Sequence, residues 1–225
     1  MRTATHDRPW QQQTGFTLVE LLVALALMAL MAGMAWRVLA GMQTAMEVNR
    51  QHADAVLTLE AGLAQWGTDL DALVALPQTR TLEWDGRALR LTRRLPGDEG
   101  AVVVCWTRAE RDGVAQWLRW QSTPVATREA WLTAWAAANA WVQGSDTSTR
   151  TREVRITALP QWQLFYYRTG AWSNPLSSAG SSPGGEANAS LPEGIRLVLT
   201  LPAAHALPGT LVRDWARKHS AGAMP

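Results

Sequence analysis

A run of twenty consecutive residues near the N-terminus, from position 16 to position 35, is apolar except for Thr17 and Glu20. A helix rises about 1.5 Å per residue, so a helix of this length crosses the roughly 30 Å hydrocarbon core of a bilayer. The run therefore predicts a membrane-spanning helix at residues 16–36.

Glu20 places a carboxylate inside this apolar run. An acid in a membrane helix costs on the order of 2–3 kcal/mol on insertion scales unless it finds a positive partner, so such a residue indicates a function. Cleavage of the chain between Gly15 and Phe16 would create an α-amine on Phe16 at membrane depth, in the same chain or in a neighbouring copy. Phe16 and Glu20 are therefore candidates for a charge pair.

The residues around this junction read Gly15-Phe16-Thr17-Leu18-Val19-Glu20-Leu21-Leu22-Val23-Ala24. This stretch resembles the class III signal of type IV pilins and of type II secretion pseudopilins. The resemblance implies a leader peptide at residues 1–15, cleavage by a prepilin peptidase between Gly15 and Phe16, and N-methylation of Phe16. It also implies that Glu20 pairs with the amine of a neighbouring subunit during assembly.

Two other interpretations of the N-terminus stay open. A secretory signal peptide has a basic start, here Arg2 and Arg8, an apolar region and a cleavage site between small residues, for which Gly33-Met34-Ala35 is a candidate. That interpretation has to accommodate Glu20 and an unusually long apolar region. The second is an ordinary signal anchor that holds a periplasmic domain. The basic residues before the run favour a cytoplasmic N-terminus and a position outside the cytoplasm beyond about residue 37.

Length and composition limit what the rest of the chain can be. After a 15-residue leader, a chain of 225 residues has room for the anchor helix and one soluble domain of about 150–170 residues. The net charge is +2 with both signs interspersed, so no basic patch for nucleic acid is indicated. The single cysteine, Cys105, excludes an intrachain disulfide, and its valine neighbours predict a buried strand thiol.

The helical signal continues beyond the membrane run. No proline occurs between Phe16 and Pro77, which predicts one helix of about 60 residues whose outer half, 37–77, is amphipathic. An apolar stripe at spacings of three and four is expected to pack on a sheet: Val56, Leu59, Leu63, Trp66, Leu70 and Leu73. The polar residues expected to be solvated or available to neighbouring subunits are Asn49, Arg50, Asp54, Glu60, Asp69 and Asp71.

From Arg80 onward the apolar period changes to two, which predicts strands. One hairpin is expected around Asp85-Gly86 in a tight type I′ turn, and a second between strands at 101–109 and 114–121. Later strands are predicted at 152–158, 161–168, 195–201 and 210–215, and a short helix at 128–142 with Thr127 and Gly144 as caps. A mobile surface loop is predicted over 173–190.

This order of elements predicts an α+β fold and agrees with the pilin-like architecture that the resemblance implies. A long N-terminal helix, membrane-spanning in its first half, packs on an antiparallel β-sheet head, and residues 78–225 form a periplasmic β-rich domain. We expect localisation in a bacterial inner membrane with a single pass.

Within the superfamily, three further segments resemble the J-type minor pseudopilin of type II secretion: Leu70–Val74, Leu191–Leu199 and Gly209–Arg213. The resemblance implies a tip complex with I- and K-type minor pseudopilins that primes a pseudopilus of the major pseudopilin for export of folded proteins. The Trp-rich region 127–149 has no counterpart placed by the resemblance. This leaves open a lineage-specific insertion or a different minor pilin, of which a W-type minor pilin of a type IV pilus is the nearest alternative.

An enzyme on a signal anchor is the rival from another class. The four histidines are scattered along the chain, at His6, His52, His205 and His219, and no His-x-x-x-His or Cys-x-x-Cys pair occurs. The sequence accordingly predicts no catalytic residue, metal site, cofactor or small-molecule substrate.

Trp172 is a candidate partner contact. Most of the thirteen tryptophans fall in predicted strands or helix stripes, where core packing explains them. Trp172 instead lies between Gly170 and Pro175, outside the predicted strands and helix stripes. Tryptophan is enriched at protein–protein hot spots. A packed loop tryptophan is the other interpretation.

Overall fold

The structure, a computed structural model, describes residues 15–98, 100–144, 148–177 and 191–218. The predicted leader up to residue 14, which includes His6, lies outside these ranges, as do His219 and positions 178–190 of the predicted loop. The chain divides into two compact units, one up to Arg50 and one from Gln51 onward. The described helices and strands are α1 Leu18–Asp71, β1 Leu82–Trp84, β2 Ala88–Arg94, β3 Ala101–Arg111, β4 Val114–Gln121, α2 Arg128–Gln143, β5 Glu153–Ala158, β6 Gln161–Arg168, β7 Ala171–Ser173, β8 Gly194–Leu201 and β9 Gly209–Ala216.

Helix α1 ends earlier than the sequence predicts. Its last residue is Asp71, well before Pro77. Beyond Asp71 the backbone pairs with β2. The Arg94 N–H donates to the Ala72 carbonyl at 2.8 Å, and the Val74 N–H donates to the Thr92 carbonyl at 3.1 Å. Pairing with a strand therefore terminates the helix before the proline can.

The strands form two antiparallel sheets. The first has the order β1-β2-β3-β4-β5 and the second the order β7-β6-β8-β9. The strands predicted from the two-residue period are present in these sheets, and the α+β expectation is confirmed. Strand β7, Ala171–Ser173, is an addition, since no strand was predicted there and the predicted loop began at 173.

The type I′ turn lies at a different Asp-Gly dipeptide from the one that the sequence predicted. A type I′ turn needs positive φ at both central residues. Asp112 and Gly113 satisfy this at 55° and 77°, joining β3 directly to β4. Asp85 is not among the described residues with positive φ, and its carboxylate instead accepts bonds from the N–H groups of Arg87 and Ala88, both at 2.8 Å. The hairpin between β1 and β2 is confirmed, but its type I′ turn is wrong.

The first sheet is covered on both faces. On one face, Leu59, Trp66 and Leu70 of α1 pack against β2, β3, β4 and the second sheet in one apolar core. Val102, Val104 and Trp106 of β3 point into this core, and the alternate residues Ala101, Val103 and Cys105 point into a second core. The α1 stripe therefore packs on a sheet as predicted.

Helix α2 forms the cover of that second core. Its buried face carries Trp131, Trp135 and Trp141. Thr127 caps the N-terminus by accepting from the Ala130 N–H, and Gly144 closes the C-terminus with φ of 71°. Both predicted caps are confirmed. Since β3 is apolar on both faces, a cover is required here, which gives the Trp-rich region a structural role.

Candidate assembly site

The predicted processing site lies immediately before α1. Gly15, Phe16 and Thr17 are non-helical and the helix begins at Leu18. Thr17 acts as the N-cap, because its Oγ1 accepts from the Glu20 N–H at 3.3 Å and its carbonyl accepts from the Leu21 N–H at 3.2 Å. The scissile bond proposed from sequence is thus in backbone that the helix leaves unpaired.

Glu20 stands in the first turn of α1. Carboxylates are favoured near the positive N-terminal end of a helix, so this position suits the acid locally. Phe16 is 85% exposed and precedes the helix, one turn before Glu20. Phe16 and Glu20 are four residues apart in the chain. The charge pair that requires a free Phe16 amine stays a prediction.

Helix α1 presents large apolar side chains without cover over its first half. Leu21, Leu25, Met28 and Met31 are each more than half exposed. Within the described residues, α1 is the helix whose length and apolar composition suffice to cross a membrane. An apolar surface of this kind needs lipid or neighbouring helices to bury it.

Asp69 was expected to be solvated, and this expectation is wrong. Its side chain has no exposed surface, and Arg93 of β2 donates to its Oδ1 at 2.6 Å. Trp106 of β3 donates to Oδ2 at 2.9 Å, while Arg119 of β4 donates to both oxygens at 2.8 and 2.9 Å. Gln65, one turn earlier on α1, donates to Oδ1 at 2.8 Å. A buried carboxylate is tolerated when it is paired and hydrogen-bonded in this way.

Asp69 therefore joins the last turns of α1 to three adjacent strands of the first sheet. We call Asp69, Arg93, Trp106 and Arg119 the Asp69 cluster. Asp69 follows Trp66 by three positions and so lies on the buried face of the helix. The helix pattern alone does not show its partners, because they lie on three later strands. An acid at a stripe position, with arginines at core-facing positions of later strands, was the signal available.

Asp71 connects the end of α1 to the second sheet. Its carboxylate accepts from Trp215 Nε1 at 2.7 Å and from Lys218 Nζ at 2.9 Å. The hydrogen bonds from Lys218 and Trp215 hold the pKa of the Asp71 carboxyl below its ordinary value. Asp71 is exposed, as expected, but it makes these contacts within its own chain.

Trp172 lies on β7 rather than in a loop. Its indole ring packs against Tyr167, with ring centroids 5.2 Å apart, and the guanidinium of Arg196 lies 4.3 Å from the ring centroid. Arg196 is itself fixed by two bonds to Asp214, at 2.8 and 2.7 Å. The indole remains 36% exposed, so it is a fixed, partly accessible aromatic surface.

Among the described residues, the remaining candidate side chains do not form a common site. Cys105 is fully buried in β3, as predicted, and burial raises the pKa of its thiol. His52 lies on α1, and Nδ1 of His205 accepts from the Leu207 N–H. In the part of the chain that the structure describes, no group of three or more His, Cys, Asp or Glu side chains is arranged to hold a metal ion.

Comparison with solved structures finds similarity to a chain of the GspK-GspI-GspJ complex from the type 2 secretion system of enterotoxigenic Escherichia coli. The match has a TM-score of 0.42 and 15% sequence identity, and it covers 74% of this chain and 99% of that chain. No curated protein sequence matches.

Comparison with protein families matches residues 10–36 to the prokaryotic N-terminal methylation motif. The matched residues include Gly15, Phe16, Thr17 and Glu20, which carried the resemblance to pilins and pseudopilins. The pilin-type motif recognised in the sequence is thereby confirmed, and the chain bears it at the start of its long apolar helix.

Proposed function

We propose that this chain is a minor pseudopilin of a type II secretion system. The observation that carries the proposal is the methylation motif at residues 10–36, placed where a capped apolar helix begins and with Glu20 in its first turn. A simple anchor does not require an acid inside its apolar run, whereas subunit assembly gives the carboxylate a positive partner. The role is structural, and no catalytic step is assigned to the chain.

Processing is the first step of the proposal. A prepilin peptidase cleaves between Gly15 and Phe16, and Phe16 is N-methylated. The local structure supports this, because the backbone before Leu18 is outside the helix and Gly15 has no heavy atom within 4 Å of an added Cβ. Packing within the described chain therefore does not require glycine at 15, which fits a residue needed by a cleaving enzyme.

Assembly is the second step. The α-amine of Phe16 and the carboxylate of Glu20 on neighbouring subunits pair within the inner membrane, where each charge offsets the desolvation cost of the other. Arg2 and Arg8 favour a cytoplasmic N-terminus, so the head occupies the periplasm.

The head supplies the contacts to partner subunits. We propose the J-type place in a tip complex with I- and K-type minor pseudopilins, which primes a pseudopilus of the major pseudopilin. The assignment depends on the resemblance of Leu70–Val74, Leu191–Leu199 and Gly209–Arg213. Trp172 is the proposed partner contact, because its ring is held in place and partly accessible.

Co-purification tests the assignment to secretion rather than to a pilus. The membrane-extracted chain is expected to retain I- and K-type pseudopilins encoded by the same genome. Retention of type IV pilus minor pilins in their place favours the W-type alternative. Retention of neither contradicts a role in a tip complex.

A further inference from the structure

Arg37 is the single charged residue in the sequence between Glu20 and Glu47. It directly follows Trp36, whose side chain is 72% exposed on α1. Indole rings favour the membrane–water interface, and the apolar stem of arginine lets its guanidinium reach water from the edge of the hydrocarbon. Both residues therefore favour the same position in a bilayer, at the point where α1 leaves it.

Because α1 is one continuous helix, the separation of two of its residues in the sequence gives the difference between their depths in the membrane. Trp36 follows Glu20 by sixteen residues, which is about 24 Å at helical rise. The hydrocarbon core is about 30 Å thick, and a typical tilt of about 20° shortens the projected distance by less than about 2 Å. With Trp36 at one boundary, Glu20 lies about 6 Å inside the opposite boundary.

We propose that Trp36 and Arg37 are positioning residues that form an interfacial anchor and set the depth of Glu20 in the membrane. The inference rests on the proposed function, since it assumes that α1 spans the bilayer. Its consequence is that Arg37 keeps Glu20 inside the hydrocarbon. There the carboxylate is costly without a positive partner.

The residues after the anchor make Arg37 the decisive member of the pair. The next five positions are uncharged and carry small or apolar side chains: Val38, Leu39, Ala40, Gly41 and Met42. Without the charge at 37, they can enter the bilayer while Glu20 moves toward cytoplasmic water. The expected slide is about four residues, or about 6 Å, since that distance brings Glu20 to the boundary.

Cysteine labelling measures this depth. Single cysteines are introduced at each position from Ala35 to Met46 except 37, and full-length protein in intact inner membranes is treated from the periplasmic side with a membrane-impermeant maleimide. The background is low because Cys105 is fully buried and burial raises the pKa of its thiol. Absence of labelling at Cys105 also reports that the head is folded.

With arginine or lysine at position 37, the introduced cysteines are expected to become labelled from just after position 37 onward. In Arg37→Leu, labelling is expected to begin about four residues later. An unmoved boundary in Arg37→Leu overturns the anchor. Equal labelling at every position overturns the membrane span itself, and with it the proposed function.

Assembly gives a second measurement, on the same variants without added cysteines. Arg37→Leu is expected to leave cleavage after Gly15 intact but to lower cross-linking between neighbouring subunits about tenfold, because Glu20 in water no longer needs a partner. Arg37→Lys is expected to restore cross-linking. Full cross-linking by Arg37→Leu overturns the positioning role, even where the boundary moves.

Discussion

Asp69 of α1 and Arg119 of β4 are joined by two hydrogen bonds, at 2.8 and 2.9 Å, across the boundary between the helix and the first sheet. Both side chains are largely or wholly withdrawn from water. Arg93 donates to the same carboxylate, so two guanidinium groups share one buried acid. The last turns of α1 are therefore held to the sheet by polar contacts as well as by the apolar stripe.

Removal of the Asp69 carboxylate is expected to destabilise the head strongly. Asp69→Ala leaves Arg93 and Arg119 buried without their partner, which costs about 3–5 kcal/mol of unfolding free energy. Urea unfolding of the detergent-solubilised chain, followed by tryptophan fluorescence, measures the change. Glu60→Ala on the exposed side of the same helix is the matched control and is expected to change stability little. Equal, small effects of the two substitutions would contradict the importance of the Asp69 cluster.

Two glycines of α1 are expected to respond in opposite directions to alanine. A Cβ added at Gly62 would lie 2.6 Å from Cγ2 of Ile156. A Cβ added at Gly67 would have no heavy atom within 4 Å apart from its chain neighbours and the backbone of its own helix. Gly62→Ala should therefore cost about 1–3 kcal/mol by overpacking. Gly67→Ala should stabilise by up to about 1 kcal/mol through helix propensity. Thermal unfolding compares the pair, and a stabilising Gly62→Ala would mean that α1 does not lie this close to β5.

Asp71 is expected to give the head a defined acid sensitivity. Hydrogen bonds from Lys218 and Trp215 lower the folded-state pKa of Asp71. The ionised carboxylate therefore adds to the free energy of unfolding at pH values above the unfolded-state pKa of an aspartate. That contribution is lost as the pH falls through the folded-state value. The difference in Tm between the natural chain and Asp71→Asn should therefore be largest near neutral pH and vanish in strong acid. A Tm difference that grows as the pH falls would contradict a lowered folded-state pKa of Asp71.

Trp172 is expected to matter for partner binding more than for folding. Truncation of a hot-spot tryptophan costs about 2 kcal/mol or more of binding free energy, which is about thirtyfold in Kd. Trp172→Ala should weaken capture of the partner pseudopilins to that extent. Leu176→Ala, a nearby exposed apolar residue, is the control. Unchanged capture, with a lowered Tm, would assign Trp172 to packing of β7 alone.

Glu20→Ala is expected to separate processing from assembly. Cleavage after Gly15 should continue, because the proposed peptidase site precedes the helix, whereas the proposed pairing with a neighbour's amine would be lost. Cross-linking between subunits and export of secreted proteins measure assembly. Secretion at the natural level by Glu20→Ala would remove the charge-pairing role from the account.

Periodic and terminal signals made much of this fold predictable. The α1 stripe, the caps of α2 and the strands of both sheets follow from apolar spacing and from residues with a single local use, such as Thr127 and Gly144. The N-terminal motif was readable for the same reason, since an acid inside an apolar run has few explanations.

One error comes from contacts between residues distant in sequence, and two come from local features that apolar spacing does not report. Asp69 was read as solvated because its partners lie on three later strands. The type I′ turn was assigned to Asp85-Gly86, but the Asp85 side chain bonds the turn backbone and the true pair is Asp112-Gly113. Strand β7 was missed because three residues are too few to show a period.

The mass of the N-terminal peptide of the membrane-extracted protein tests the central claim most directly. The account predicts a mature chain that starts at Phe16 and carries one N-methyl group. An intact Met1, or a start after Ala35, would contradict it, because the amine that Glu20 is proposed to pair with would then not exist.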